Sequence, residues 1–127
     1  MRLPWQTRQK RGQDAEATAA EYLQQQGLQV IARNVRYRGG ELDLVCLEQQ
    51  TLVFVEVRLR SNSQFGDAAD SINMGKQQRV IVAAQLYLQQ HPQHANRPCR
   101  FDCILFSRTT DSSAHPPEWL RNAFTAD

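Results

Sequence analysis

Two neighbouring segments of the chain, residues 39–47 and 52–58, alternate their side chains with a period of two. Both are rich in aliphatic and β-branched residues, so both are predicted as β-strands. Only residues 48–51 separate them, which leaves room for a turn and nothing longer. The pattern therefore predicts a β-hairpin with Gln49 and Gln50 at its tip, in which opposite residues have numbers that sum to 99.

The two faces of this hairpin differ in chemistry. One face is apolar from end to end and is expected to pack on a core; it carries Leu42, Leu44 and Cys46 opposite Val57, Val55 and Val53. The other face is apolar near the turn and charged at the open end; it carries Val45, Leu47, Leu52 and Phe54, then Glu41, Asp43, Glu56 and Arg58. A simple solvated face scatters its charges, so this segregation is unusual.

In the predicted register, Asp43 faces Glu56 and Glu41 faces Arg58. Two carboxylates directly opposite each other repel unless a cation lies between them. One interpretation is a divalent metal site. The other is a cross-strand charge ladder in which Arg58 pairs with Glu41 while Arg60 helps to neutralise Glu56. The hairpin geometry alone favours neither interpretation.

The remaining pattern predicts helices and strands around the hairpin. Residues 12–26 have helical spacing, with Gly27 at the position of a C-terminal cap. Residues 76–90 form a second, amphipathic helix, capped by Asn73 and ended before Pro92. Strands are expected at 28–37 and 100–107, loops at 61–71 and 109–117, and a closing element of undetermined type at 118–124. The prediction is one mixed α/β domain over residues 12–127, in the order α-β-β-β-α-β, preceded by a flexible basic arm at 1–11.

Length and composition narrow the class of protein. A chain of 127 residues is long enough for one domain with its own core. It has no apolar run of the roughly 18–20 residues that a membrane-spanning helix needs, and residues 1–11 lack the apolar segment of a secretory signal. The three cysteines lack zinc-ligand spacing, and Cys99 and Cys103 are too far apart along one strand to bridge. Reduced thiols in a cytoplasmic protein are therefore expected.

The formal charge of +2 is informative mainly through its distribution. Basic residues occupy the arm and then the approach to the acidic strand; they are Arg2, Arg8, Lys10, Arg11, Arg33, Arg36 and Arg38. A basic approach to an acidic pocket suits a phosphodiester substrate, because cations hold the backbone while carboxylates hold a metal ion. The alternative is a solvated tail followed by exposed strand residues.

The acidic end of the hairpin has the oxygen donors that magnesium prefers. Asp43 and Glu56 supply two carboxylates, and Glu16 is a candidate third if the first helix packs over the open end of the hairpin. Arg58 can orient water or clamp a phosphate, but it cannot act as a general base. Lys76, in the first turn of the second helix, is another candidate cation, although the helix dipole disfavours a cation there.

Two further groups of polar residues have no predicted role. His91 and His94 flank Pro92 in a turn, where surface histidines are more common than ligands. Asp102 points away from Phe101 on a predicted strand and is assigned no function.

A joint pattern of short motifs resembles a known family. The pattern consists of Gly12 with Glu16, Asn34, Gly40-Glu41-Leu42-Asp43-Leu44, Phe54-Val55-Glu56-Val57-Arg58 with Arg60, Phe65-Gly66 and Lys76. Over about residues 12–124 it resembles the YraN-like family of small bacterial proteins of uncharacterised function. That family is similar to the restriction-endonuclease-like PD-(D/E)xK superfamily, and in pattern to archaeal Holliday-junction resolvases.

The resemblance implies a restriction-endonuclease-like core, a mixed sheet flanked by helices, with Glu16, Asp43 and Glu56 as ligands of Mg²⁺ or Mn²⁺. It also implies branched or structured DNA as the substrate and a homodimer. The chain departs from the superfamily pattern at the catalytic lysine, whose place Arg58 takes. Arg58 or Lys76 is therefore the expected assisting cation.

Three functions remain open at this stage. The first is a metal-dependent nuclease acting on DNA; its expected nucleic-acid contacts are Arg36, Arg38, Arg60, Lys10 and Arg11. The second is a nucleic-acid-binding module that keeps the fold and the charge layout but cleaves slowly or not at all. The third is an interaction protein in which the charge ladder is structural. This function does not explain the basic residues that lead to the acidic strand.

Overall fold

The structure, a computed structural model, describes residues 4–59, 72–106 and 116–126, with residues 4–13 described by their backbone. Its helices are α1 (Pro4–Gln25) and α2 (Met74–Gln90), with a short 3-10 helix at Pro92–His94. Its strands are β1 (Gln29–Tyr37), β2 (Gly40–Glu48), β3 (Thr51–Leu59), β4 (Cys99–Phe106) and β5 (Glu118–Phe124). The predicted α/β class is confirmed, and the closing element of undetermined type is strand β5.

The five strands form one mixed sheet in the order β1-β2-β3-β4-β5. Neighbouring strands are antiparallel except β3 and β4, which run parallel because the α2 crossover joins them. One helix packs on each face: α1 contributes Ala20 and Leu23 to one apolar cluster, and α2 contributes Val80 and Ala84 to the other. Since both faces of the central strands are covered, the ends of the strands are where polar side chains can gather.

The predicted hairpin register is confirmed from the turn as far as Leu44 and Val55, whereas the predicted pairs of Asp43 with Glu56 and of Glu41 with Arg58 are not among the paired residues. The pairs run from Glu48 and Thr51 at the turn to Leu44 and Val55, and each pair sums to 99. The assignment of the two faces also holds near the turn. Leu44, Cys46, Val53 and Val55 pack in the α1 cluster, whereas Val45, Leu52 and Phe54 pack in the α2 cluster.

The prediction for Leu42 is wrong. Its side chain packs in the α2 cluster, although Leu44, two residues later, packs in the α1 cluster. The pairing of β2 with β3 extends only to Leu44, and the neighbouring strand β1 holds Asn34 at φ +53°, between the residues that pair with Leu42 and Leu44. This irregularity interrupts the alternation of side chains at Asp43.

Helix α1 is longer than its apolar spacing indicates. It begins at Pro4, so residues 4–11, predicted as a flexible arm, are helical. Those residues include the good helix formers glutamine, lysine and arginine, which extend a helix without adding an apolar stripe. The C-terminus follows the prediction: Gly27 has φ +99°, its N–H donates to the Gln24 carbonyl, and the Leu28 N–H donates to the Leu23 carbonyl.

Helix α2 begins at the predicted cap, where the Asn73 side chain accepts a hydrogen bond of 2.9 Å from the Lys76 backbone N–H. Its middle lies directly against the start of β2. A Cβ atom at Gly40 would collide with the backbone carbonyl of Arg79, so only glycine fits at this contact. The hairpin and α2 are therefore held in close backbone contact beside the acidic end of the sheet.

Several predictions fall on parts of the chain that the structure does not describe. Arg60, the loop predicted at 61–71 and most of the loop predicted at 109–117 lie outside the described residues. The three cysteines are free thiols, as predicted. Neither of the two described α-helices is long and apolar enough to cross a membrane.

Candidate functional site

Three carboxylates meet where β2 and β3 cease to pair, and Asp43 is the central one. It is buried, and its Oδ2 accepts a hydrogen bond of 2.9 Å from the Val57 backbone N–H. The carboxylate thus takes a strand N–H beyond the last paired residues of the hairpin. The side chains of Glu16 and Glu56 both lie within hydrogen-bonding reach of Asp43. We call Glu16, Asp43 and Glu56 the acid cluster.

Glu56 is the most deeply buried of the three, with 3% of its surface exposed. Its Oε1 accepts a hydrogen bond of 2.5 Å from Arg58 Nη2, which is an ion pair between residues of one strand. Its Oε2 is buried and has no hydrogen-bond partner among the described residues. A buried carboxylate oxygen without a partner is costly, so this oxygen needs either a proton or a ligand that the described residues do not supply.

Glu16 reaches the cluster from α1, on the opposite face of the sheet from α2. The side chain of Asn34 interacts with it, and the irregular backbone of Asn34 lies next to Asp43 in the sheet. Glu16 Oε2 is also buried without a partner in the described part of the chain. The structure therefore confirms that the first helix packs over the open end of the hairpin.

The carboxylates hold their protons unusually tightly. Burial, followed by repulsion from Asp43, raises the pKa of Glu56 to about 8. The same two causes raise the pKa of Glu16 to about 7. Burial also raises the pKa of Asp43, although its bond from the Val57 N–H and the charge of Arg58 act in the opposite direction. Near neutral pH the cluster therefore needs either shared protons or an additional cation.

A basic pocket of about 160 Å³ adjoins the acid cluster. It is lined by Glu41, Glu56, Arg58, Lys76, Arg79 and Val80. Lys76 and Arg79 are three residues apart on α2 and so project from one side of that helix. Carboxylates of the sheet and cations of the helix thus border one small space, an arrangement suited to a phosphate beside a metal ion.

The pair of Arg58 with Glu41, one half of the cross-strand ladder considered for the hairpin, is not formed, while Arg60, the other half, lies outside the described residues. Arg58 pairs with Glu56 on its own strand, and Glu41 pairs at 3.7 Å with Arg36 on β1, in an exposed position. Arg58 Nε is buried without a partner among the residues described. The guanidinium therefore neutralises one acid only in part and keeps a donor free for a further anion.

The donors of the acid cluster suit a hard divalent cation, which prefers carboxylate oxygens. Two buried oxygens that have no partner in the described part of the chain support that fit. In their observed positions, however, no three His, Cys, Asp or Glu side chains of the described ranges form a group that could hold a metal ion. One oxygen of Glu56 is bound to Arg58 and one of Asp43 to Val57, so a metal ion requires the side chains to adjust.

The expected nucleic-acid contacts are distributed more widely than the acids. Arg36 and Arg38 are exposed at the end of β1 and in the turn after it. Lys10 and Arg11 belong to α1, of which the structure describes only the backbone at these positions. Arg60 lies outside the described residues.

Arg79 is a residue of the site that the sequence did not single out. Its spacing of three from Lys76, on a helix whose other face is apolar, is the signal that indicates it. His94 was predicted to be a surface histidine, but it is buried and its Nδ1 accepts a hydrogen bond of 3.0 Å from Arg97 Nε. Nothing in the turn sequence pointed to that partner three residues later.

Asp102 on β4 provides a contrasting buried carboxylate. It is fully buried, and its two oxygens accept four hydrogen bonds: two from Arg100 at 2.8 and 3.0 Å, one from Trp119 Nε1 and one from the Asn122 N–H, both at 2.9 Å. Arg100 also bonds to Glu48 at 2.9 Å. Because each oxygen is satisfied within the chain, Asp102 serves to join β4 to β5.

The fold and the site define a small mixed α/β protein with a buried acid cluster beside a basic pocket. The chain belongs to the uncharacterised protein family UPF0102, whose sequence pattern matches residues 15–106. It is 50% identical over 122 residues to a UPF0102 protein of Pseudomonas putida (strain GB-1), covering 96% of this chain and 98% of that one. It is 48% identical over 122 residues to a UPF0102 protein of Xanthomonas oryzae pv. oryzae (strain PXO99A), covering 94% and 95%. Membership of an uncharacterised family, as the resemblance implied, is confirmed.

Proposed function

We propose that this protein is a metal-dependent nuclease that acts on DNA, with branched or otherwise structured DNA as its substrate. The observation that carries the proposal is the convergence of Glu16, Asp43 and Glu56. Two of these acids keep buried oxygens without partners among the described residues, and one of the two, Glu56, also lines the basic pocket. A purely structural cluster would be expected to satisfy those oxygens, as Asp102 does.

The proposal includes membership of the PD-(D/E)xK superfamily and a divalent ion, Mg²⁺ or Mn²⁺, held by the acid cluster. A sheet covered by one helix on each face, with acids from α1, β2 and β3 at one end, supports that placement. When bound, such an ion lowers the pKa of a water and offsets charge on phosphate oxygens.

The chain's own groups have separate roles in this proposal. Asp43 and Glu16 supply carboxylate oxygens. Arg58 holds Glu56 in place through Nη2 and keeps its buried Nε available for a phosphate oxygen. Lys76 takes the part of the superfamily lysine from α2, since it lines the same pocket as Glu56 and Arg58. The resolvase-like homodimer belongs to the same proposal.

One observation favours the second candidate function, a nucleic-acid-binding module without efficient cleavage. The ion pair of Arg58 with Glu56 already neutralises part of the acid cluster. A guanidinium that stays bound there competes with a metal ion for the Glu56 carboxylate.

The direct test measures nicking of junction, flap and single-stranded DNA by the full chain with Mg²⁺ or Mn²⁺. For Asp43→Asn we expect the rate to fall by about 10²-fold or more, the scale of losing a group that acts on the transition state. Glu21→Gln, which changes an exposed carboxylate of α1, is the matched control and should cleave at the normal rate. Binding that is independent of metal and survives Asp43→Asn, without cleavage by the unaltered protein, would favour the second function.

A second readout does not depend on activity. An ion that binds only the folded protein raises its Tm with concentration. We expect Mn²⁺ to raise the Tm of the unaltered protein and of Glu21→Gln, but not that of Asp43→Asn. An equal rise in all three would place the ion elsewhere.

A further inference from the structure

A second and larger cavity, of about 620 Å³, lies between β1 and the C-terminal end of α2. No member of the acid cluster lines it. Its apolar wall comes from Ile31, Ala32 and Val35, and aromatic and amide side chains of β1, α2 and the following turn complete it. The volume is in the range of small-ligand sites, which combine an apolar lining with a few polar groups.

Aromatic rings give this cavity its character. Tyr87 is buried and stacks on His91, with ring centroids 4.0 Å apart and planes 23° apart. Tyr37 is half-buried, and its hydroxyl donates to Gln90 Oε1 at 3.1 Å, which fixes the direction of the ring. Among the described residues no other aromatic ring stacks on Tyr37. The cavity therefore has an oriented aromatic face without an aromatic partner.

We propose that this cavity binds an unpaired nucleobase of the nucleic-acid substrate, with Tyr37 as the stacking side chain. The inference rests on the proposed function, since it takes nucleic acid as the ligand. A planar heteroaromatic ring matches the chemistry of the wall: its face stacks on tyrosine, while its edge reaches the polar groups of Gln90, Gln93 and His91. A purely apolar ligand could form no hydrogen bond with those side chains.

The cavity and the basic pocket are close enough for one strand to reach both. Arg36 lines the cavity and pairs with Glu41, which lines the basic pocket. On α2, Arg79 lines the pocket and Tyr87 the cavity, eight residues or about 12 Å along the helix axis. One strand of B-DNA advances ~3.4 Å per nucleotide, so the separation is about three or four stacked nucleotides, and fewer if the strand is extended.

Charge along this path supports a polynucleotide. Arg36 and Arg38 flank Tyr37 in sequence and are both exposed. Aromatic side chains beside exposed cations are the common means of holding a single strand, because every base has a face that stacks and every nucleotide has a phosphate.

The cavity should discriminate between unpaired and paired bases. A base within a duplex is covered on both faces by its neighbours and is hydrogen-bonded along its pairing edge, so it must leave the stack to enter a pocket. The cavity therefore assigns the substrate a single-stranded segment, such as a flap or an opened junction arm, within a few nucleotides of the bond to be cleaved.

The test is metal-free binding of a fluorescent single-stranded oligonucleotide to the full chain, in EDTA, with an otherwise identical strand that lacks its bases. Stacking of one base is worth ~1–3 kcal/mol, so removing it should weaken binding by about 5- to 150-fold. Tyr37→Ala should weaken binding to the intact strand by a similar factor and bind both strands alike. Tyr37→Phe keeps the ring and loses only the bond to Gln90, and it should bind within about threefold of the unaltered protein. Duplex affinity should be the same for all three proteins.

The outcomes separate this inference from the proposed function. Equal affinity of the unaltered protein for the intact and the base-free strand overturns the inference, and this comparison needs no variant that folds. Equal weakening by Tyr37→Ala and Tyr37→Phe also overturns it. If cleavage depends on metal but substitution of Tyr37 does not change strand binding, the nuclease proposal stands and the base site is rejected. A Tyr37-dependent strand affinity without cleavage supports the base site and removes the nuclease.

Discussion

Two buried groups of acids in this protein are built in opposite ways. Around Asp102, four donors from Arg100, Trp119 and Asn122 satisfy one carboxylate completely. In the acid cluster, three carboxylates share one guanidinium, one strand N–H and the side chain of Asn34, and two buried oxygens have no partner among the described residues. A carboxylate that the fold satisfies by itself stabilises that fold, whereas one left unsatisfied depends on protons or on a bound cation.

The contrast also distinguishes two uses of arginine. Arg100 joins Asp102 to Glu48 and thereby links β4 to the end of β2. Arg58 contacts a carboxylate of its own strand and keeps a buried donor that no described residue pairs with. The first arginine completes a network, and the second leaves one open. Burial alone therefore does not distinguish these two kinds of buried acid, but satisfaction of their hydrogen bonds does.

The sharpest way to break this comparison is an isosteric substitution at both sites. In Asp102→Asn an amide NH₂ replaces one carboxylate oxygen and faces N–H donors that have an acceptor in the unaltered protein. We therefore expect a loss of about 3–5 kcal/mol in the free energy of unfolding. Asp43→Asn keeps an acceptor for the Val57 N–H and removes a charge from a repelling cluster, so we expect a change below about 1 kcal/mol at pH 7. Urea unfolding of both variants measures the difference. Equal losses would mean that the two sites are built alike.

The second prediction concerns pH. The folded protein keeps protons on Glu56 and Glu16 up to pKa values of about 8 and 7, whereas the unfolded chain releases them near 4.5. The folded state therefore binds more protons over this interval, and stability falls as the pH rises from about 4.5 to 8. Glu56→Gln cannot release a proton, so the loss between pH 5 and pH 8 should shrink by on the order of 1–3 kcal/mol.

Glu48→Gln is the matched control for that experiment. Its bond from Arg121 lowers the pKa of Glu48, so this carboxylate is ionised in both states above pH 5. The variant should therefore keep the original slope of stability between pH 5 and pH 8. A slope that flattens in Glu48→Gln, or persists in Glu56→Gln, would contradict the assignment of the proton uptake to the acid cluster.

A smaller effect is expected at the rim of the Asp102 network. Arg121 bonds to Glu48 at 3.0 Å and lies over the Trp119 ring, 3.9 Å from its centroid. It is half-exposed, so Arg121→Ala should cost only about 1 kcal/mol, from a screened ion pair and a cation–π contact. Thermal unfolding measures this loss of stability. Because the ion pair is exposed, added salt should reduce the difference in stability between Arg121→Ala and the unaltered protein. A loss as large as that of Asp102→Asn would show that the rim is as important as the centre.

The smallest expected change in stability is that of Lys76→Ala. The side chain is exposed in the first turn of α2, where the helix dipole opposes a cation, so the free energy of unfolding should stay within about 0.5 kcal/mol. Cleavage, by contrast, should fall by about 10²-fold if Lys76 acts on the phosphate. A variant that loses stability and keeps its activity would reverse the roles proposed for the two regions.

The parts of this structure that follow from local rules were predictable from the sequence. The hairpin register, the Asn73 cap and the Gly27 turn each depend on residues a few positions apart. The closeness of Asp43 to Glu56 followed from extending that register, although the strands cease to pair at Leu44 and Val55. The partner of Arg58 did not, because a long side chain on an open strand end can reach an acid on its own strand or on the next, and spacing does not decide between them.

The cavity beside β1 was not predictable for a different reason. Tyr37 and Tyr87 are 50 positions apart, and their proximity depends on how α2 crosses the sheet. The position of Leu42 was likewise hidden, since alternation assumes a regular strand and Asn34 introduces a left-handed residue next to it. Long-range packing and local irregularity are the two kinds of information that a period in the sequence does not carry.

The bare backbone at Gly40 has a consequence for how the basic pocket behaves. Where α2 touches the hairpin, main chain rests on main chain, with no side chain between them to rotate or compress. The distance between the helix backbone, which carries the cations, and the strands that carry the carboxylates is thus fixed by a contact of main chain with main chain. At this contact the helix backbone cannot approach the hairpin more closely, and any widening would have to displace the helix.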